Sequence, residues 1–388
     1  MQIRKTLAGV AVAVVASSGV GATAGTAAAA PPPASDVATY IVTLQPGSTP
    51  GPVAERAARM GGSVRHLYTA ALDGFAVRLP TALAERLASL PGVVAVERDA
   101  PVTLAATQTS ATWGLDRIDQ RALPLSGSFT YGATGAGVTA YVIDTGIRLD
   151  HADFGGRAVT GYDAVDGGSA DDCNGHGTHV AGTVGGATLG VAKAASLVAV
   201  RVLDCAGSGT NAGVIAGIDW VTAHHQPGRP AVANMSLGGG ASSAVDSAVQ
   251  RSIADGVTYA VAAGNGNASG VPQNACNSSP ARVSAALTVG ASDRTDRPAS
   301  FSNYGSCVDL FAPGVSITSD WHTGATATNT ISGTSMATPH VAGVAALYLQ
   351  GAPTASPATV ATAIRAGTTK NAVPTNRTAN NDLLFSTY

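Results

Sequence analysis

Charge is scarce in this 388-residue chain: only 12% of its residues are Asp, Glu, Lys or Arg, and the formal net charge is −2. No basic run stands out, so nothing in the composition calls for a nucleic-acid partner. Long hydrophobic runs are missing too. The strongest, LAGVAVAVVA near the N-terminus, is shorter than the roughly 20 helical residues that cross a bilayer, so no membrane partner is expected. Cysteine is limited to Cys173, Cys205, Cys276 and Cys307, with none of the close CxxC pairs that a zinc site wants. What is abundant is glycine, 47 residues, against a 45% hydrophobic background. That composition describes a well-buried globular protein with many tight turns.

The first thirty residues stand apart. Arg4 and Lys5 precede the apolar run, and the small residues TAAAA follow it. This is the layout of a secretory signal peptide over residues 1–30 and predicts export. An exported chain meets oxidising conditions, so the cysteines are candidates for disulfides. Three pairings are possible. The neighbouring ones, Cys173–Cys205 and Cys276–Cys307, would each close a loop of about thirty residues and stabilise by roughly 3 kcal/mol in the chain-entropy model.

Residues 36–105 read as a small α+β unit in the order strand, helix, strand, strand, helix, strand. FAVRL alternates as a strand does, and ALAERLASL has helical spacing. A patternless linker, TLAATQTSAT, follows. Beyond it GVTAYVID, SLVAVRVLD, AVANMSLG, VTYAVAAGN and ALTVGAS are short apolar strands, with helical stretches between several of them. That alternation predicts a parallel sheet covered on both faces, with its site where strands end and helices begin.

Ser335 opens a long apolar helix, MATPHVAGVAALYLQ. A hydroxyl there is ordinarily a cap, but Thr334 comes first and caps as well, which leaves the second hydroxyl without a structural task. A serine hydroxyl becomes a useful nucleophile when a base takes its proton. Among eight histidines, His176 lies in NGHGTHVAGTVGG, another glycine-framed helix start. His176 and His179 could share a helical face and hold a metal, but the HExxH pattern of such sites is absent. The base needs a carboxylate on its other ring nitrogen. Asp144 ends the strand YVID just before a Thr-Gly turn. Aspartic proteases also use Asp-Thr-Gly, but they pair two carboxylates, and this chain carries one copy. An oxyanion at an attacked carbonyl needs donors. Asn265, after the strand VAAGN, and the Ser335 N–H are the candidates.

VIDTGI, NGHGTHVAGT, SLGGG, AAGN and SGTSMATPHVAG stand in the order and surroundings of the subtilisin-like serine proteases. The order Asp, His, Ser is that of subtilisin, and the GxSxG elbow of α/β-hydrolases is absent around Ser335. WGLDRIDQR, SFSNYGSCVDLFAPG and the four cysteines make the chain most similar to the proteinase K branch, in particular to aqualysin-like bacterial enzymes.

The resemblance implies an α/β, subtilisin-like three-layer fold over 106–388, a mainly parallel sheet flanked by helices. A ferredoxin-like, inhibitor-type propeptide at 36–105 precedes it and acts as the enzyme's own intramolecular inhibitor and folding assistant. The activity implied is that of a secreted, monomeric serine endopeptidase made as a self-processing zymogen. Its catalytic residues would be Asp144, His176 and Ser335, with Asn265 and the Ser335 N–H holding the oxyanion. Ser236, Leu237, Gly238, Ala262, Ala263 and Gly264 would line a specificity pocket without charge. The implied preference is broad, for apolar or aromatic residues before the scissile bond. Gly207, Ser208 and Gly209, with Ser236–Gly238, would pair with extended substrates as added strands. The chemistry implies no cofactor. Structural calcium is implied at Asp309 with the carbonyls of Ser284 and Ala286. A second site is implied at Asp116, Asp119 and Gln120, weakened by serines at 126 and 128. The alternatives are an inactive scaffold or binding module of the same fold, and an esterase using the same triad.

Overall fold

The computed structural model describes residues 37–99, 105–375 and 377–388, so the signal peptide read at 1–30 lies outside the described residues. The described residues divide into two compact units on either side of segment 100–104.

The first unit follows the order that its sequence alternation predicts. Strand Val37–Leu44 leads to helix Pro50–Arg59, strands Ser63–Tyr68 and Gly74–Pro80, helix Thr81–Ala88 and strand Val93–Arg98. The strands form one antiparallel sheet, with Val37–Leu44 and Gly74–Pro80 in the middle. Alternate residues Tyr40, Val42 and Leu44 point to one face, where they pack with Ala54, Ala57, Ala84 and Leu87 from the two helices. A strand of period two buried on one face produces that pattern.

The second unit is built on a seven-stranded parallel sheet. In spatial order its strands are Leu310–Pro313, Leu287–Ser292, Thr258–Ala262, Ala231–Met235, Thr139–Asp144, Ser196–Arg201 and Ala158–Asp163. Both faces of the five interior strands are buried, so these strands are mainly apolar rather than alternating. Ala140 and Val142 face the core that holds helices His176–Gly185 and Thr334–Gly351. Tyr141 and Ile143 face the core beneath helices Asn211–His224 and Ser243–Asp255. Sheet and two helical layers make the three-layer arrangement expected. The strands Ala158–Asp163 and Leu310–Pro313 were not among the five read from sequence; they are the two edges of the sheet.

Helix Thr334–Gly351 is buried on every side from Thr334 to Leu347, as its unbroken small and apolar sequence requires. Cysteines pair as neighbours, Cys173–Cys205 and Cys276–Cys307. Among the described residues no helix is long and apolar enough to cross a membrane.

Candidate active site

Asp144 is the last residue of its strand and has no solvent exposure. Its Oδ1 accepts hydrogen bonds from the Thr145 N–H at 2.8 Å and from His176 Nδ1 at 2.7 Å. The imidazole therefore carries its proton on Nδ1, leaving Nε2 as the base. Burial is the largest influence on His176 and disfavours its charge. The charge and hydrogen bond of Asp144, with the charge of Asp172, outweigh it and raise the imidazolium above the usual histidine range.

The start of the His176 helix is closed by Asp172. Asp172 Oδ1 accepts from the N–H groups of Asn174 and Gly175 and from Thr145 Oγ1, each at 2.9 Å. Its Oδ2 accepts from Thr178 N at 2.9 Å and Thr178 Oγ1 at 2.6 Å. Thr145 Oγ1 in turn accepts from Gly177 N at 2.9 Å. One carboxylate thus sets the Asp-Thr-Gly turn and the histidine helix together. The flanking glycines are needed: Gly175 lies at φ +108°, and a Cβ on Gly177 would strike the Gly146 carbonyl. The sequence carries a signal for Asp172, an Asp just before a helix start, which the motif reading passed over. His179 does not join a metal pair with His176: it is fully buried, and its Nε2 meets the Ile317 carbonyl at 3.0 Å.

Ser335 is 9% exposed, and its Oγ donates to the Ser236 carbonyl at 3.0 Å. The capping role expected for Thr334 is not what the structure shows. The N-cap is Gly333, without a side-chain cap, and Thr334 is the first helical residue. Thr334 instead donates twice to Asn265 Oδ1, from N and from Oγ1, each at 2.8 Å. These two bonds fix the amide so that Asn265 Nδ2 is left to face outward. Asn303 fastens the same loop: its Nδ2 donates to the Ala263 carbonyl at 2.9 Å, and its Oδ1 accepts from Gly266 N at 2.9 Å.

Two adjoining cavities share Leu237, Gly238, Gly239 and Ser279. The larger, about 550 Å³, is lined by His176, Ser236 and the segment Gly207, Ser208, Gly209. The smaller, about 300 Å³, is lined by Ala262, Ala263, Gly264, Asn265 and Ser335, and no charged side chain reaches it. Asn174 links the rim of the larger cavity to the histidine loop. Its Oδ1 accepts from His176 N at 3.2 Å and its Nδ2 donates to the Cys205 carbonyl at 2.9 Å, beside the Cys173–Cys205 bridge.

The two expected calcium sets differ. Asp309 has no free charge for one: its Oδ1 meets Arg365 Nη1 at 3.0 Å, and its Oδ2 accepts from Thr288 N at 2.8 Å. A guanidinium already meets the charge there, and Ser284 and Ala286 add only carbonyls. Asp116, Asp119 and Gln120 do fit. Asp116 accepts from the Ser126 and Gly127 N–H groups, Gln120 Oε1 from Ser126 N, and Asp119 Oδ2 from Thr130 N. Asp119 Oδ1 is buried with no partner. Burial above all, and the charge of Asp116, raise the Asp119 carboxyl against its hydrogen bond from Thr130. A cation bound by hard oxygens would relieve that oxygen.

Residues 135–384 match the Subtilase family, and residues 39–105 match the peptidase inhibitor I9 family. The chain belongs to the subtilase family. An extracellular serine proteinase of Thermus sp. (strain Rt41A) is 61% identical over 84% of this chain and 79% of the relative. The alkaline serine exoprotease A of Vibrio alginolyticus is 52% identical over 84% of this chain, which spans 62% of that relative. The crystal structure of a cold adapted subtilisin-like serine proteinase superposes with a TM-score of 0.69 at 54% identity, covering 72% of this chain and all of that one. This subtilase is thus an extracellular serine endopeptidase that carries an I9 inhibitor domain ahead of its peptidase domain.

Proposed function

We propose that this subtilase cleaves extended polypeptides with Ser335 as nucleophile, His176 as base and then acid, and Asp144 as the carboxylate that fixes the imidazole. The observation that carries the reading is the 2.7 Å bond from His176 to a fully buried Asp144, in a cleft whose adjoining chamber is lined by Ser335. Ser335 Oγ bonds to the substrate carbonyl carbon as its proton passes to His176 Nε2. The resulting oxyanion accepts from Asn265 Nδ2 and the Ser335 N–H. Nε2 then delivers the proton to the leaving amine as the C–N bond breaks, and water repeats the sequence on the acyl-enzyme.

The uncharged smaller cavity favours apolar or aromatic side chains before the scissile bond. Backbone pairing along Gly207–Gly209 and Ser236–Gly238 is blind to sequence, which supports broad specificity. The unit at 36–105 is the intramolecular inhibitor, removed by self-cleavage near Ala105–Ala106, and 106–388 is the mature enzyme. Calcium, where bound, is structural and held by Asp116, Asp119 and Gln120; it supplies charge balance and no chemistry.

Ser335→Ala is the test. It should abolish casein hydrolysis and leave the secreted product at a mass that still includes residues 36–105. A Ser335→Ala protein that still digests casein would overturn the assignment. Turnover that rises with peptide length marks a protease rather than an esterase. A chelator should lower the melting temperature of the wild type and not that of Asp119→Asn.

A further inference from the structure

Ser335 sits in a helix that cannot bond its carbonyl in the usual way. An α-helix joins each carbonyl to the N–H four residues on, and four residues after Ser335 stands Pro339, which has none. The Ser335 carbonyl is nevertheless satisfied. Ser236 Oγ donates to it at 2.8 Å, across 99 residues of sequence. Ser236 has one hydroxyl proton, and its direction is set from behind: Asn234 Nδ2 donates to Ser236 Oγ at 2.8 Å, so the proton is left for Ser335. All three residues are buried, at 1%, 3% and 9% exposure for Asn234, Ser236 and Ser335. Asn234 lies on the fourth of the seven strands and Ser236 just beyond that strand's end, so the donor belongs to the middle of the sheet.

We propose that Asn234 and Ser236 are positioning residues for the nucleophile. The Ser236 hydroxyl replaces the N–H that Pro339 lacks, and so ties the first helical turn to the end of the central strand. The helix alone would hold the Ser335 carbonyl only to the helix. This bond registers Ser335, its Oγ and its N–H against the sheet that carries Asp144. The side chain of Ser236 acts here separately from its carbonyl, which faces the Ser335 hydroxyl. The role rests on Ser335 being the nucleophile, as proposed above.

A mutant cycle tests it. Ser236→Ala removes the hydroxyl and keeps the main-chain carbonyl. It should lower kcat about tenfold, the factor that accompanies about 1.4 kcal/mol, with KM little changed. The rate of labelling by a phosphonyl fluoride should fall in parallel. Pro339→Ala returns an N–H to the helix, so Ser236→Ala with Pro339→Ala should recover most of the loss relative to Pro339→Ala alone. A mere packing role for Ser236 would not be repaired from Pro339. Wild-type kcat in Ser236→Ala, or a double variant as impaired as Ser236→Ala, would overturn the proposal. Melting curves of the same four proteins, each carrying Ser335→Ala against self-digestion, read the brace independently. Non-additive midpoints support the bond, and additive ones count against it. A chain that proves inactive with coupled midpoints would refute the proposed function and leave the brace standing.

Discussion

The two helix starts of the candidate site are built in opposite ways. The His176 start is closed: Asp172 accepts five hydrogen bonds across it, and Thr145 takes the Gly177 N–H. The Ser335 start is open. Gly333 caps it with no side chain, Thr334 N–H goes to Asn265, and Met336 N–H goes to Gly333. Between them the Ser335 N–H has no partner among the described residues. Closing a helix start spends its positive end on the protein's own carboxylate, whereas leaving it open keeps donors for a charge that appears only during reaction. The imidazole needs rigidity and a raised pKa, and the oxyanion needs vacant donors. The two termini meet these separate demands.

The open end gives the largest expected effect. Asn265→Ala removes the outward Nδ2 and should lower kcat by roughly 10²–10³, with little change in KM. Thr334→Val, which keeps the N–H bond to Asn265 Oδ1 and loses the hydroxyl one, should fall between that variant and wild type. Equal losses in KM and kcat would mean that Asn265 binds ground-state substrate instead. The closed end is next. Asp172→Ala should cost roughly 2 kcal/mol of stability, since the cap is lost and buried N–H groups are left unpaired. Asp172→Asn keeps the shape and loses the charge that helps hold the His176 imidazolium. The histidine pKa then falls, so the acid limb of kcat/KM should move to lower pH. An unmoved limb would show that Asp172 acts through geometry alone.

Much of this contrast was legible in sequence, and the unread part shares one cause. Asp144, His176, Ser335 and Asn265 each lie in a short motif at a strand end or helix start, where local chemistry announces itself. The five strands read are the interior ones, apolar because both faces are covered. The two edges escaped notice because AVTGYD is broken by Gly161, and LFAP is four residues long and ends in a proline. Arg365 against Asp309 could not be seen either. The calcium expectation came from residues around VDLFAPG, while the guanidinium arrives from a helix 56 positions later. Thr334 reads as a cap in the sequence because its partner, Asn265, is 69 residues away. Local roles were readable, and partners brought together only by the sheet were not.

The smallest expected effect tests where the two helices are alike. Each buries a histidine: His179 three residues after His176, and His340 five after Ser335. Burial is the main cause in both, and both are pushed down to about 4, against the carbonyl bonds to Ile317 and Met336 that partly restore them. A depressed histidine means that the unfolded chain, titrating near 6.5, binds a proton that the folded chain refuses. Stability is therefore full above about pH 6.5 and falls as pH drops toward 4, by at most about 1.4 kcal/mol per pH unit for each histidine. Chemical denaturation of the Ser335→Ala protein between pH 7 and 4.5 should show this slope. His179→Gln and His340→Gln should each flatten it by a similar amount. If only one variant flattened it, burial would not act alike on the two helices, and the closed and open starts would differ in their cores as well as at their ends.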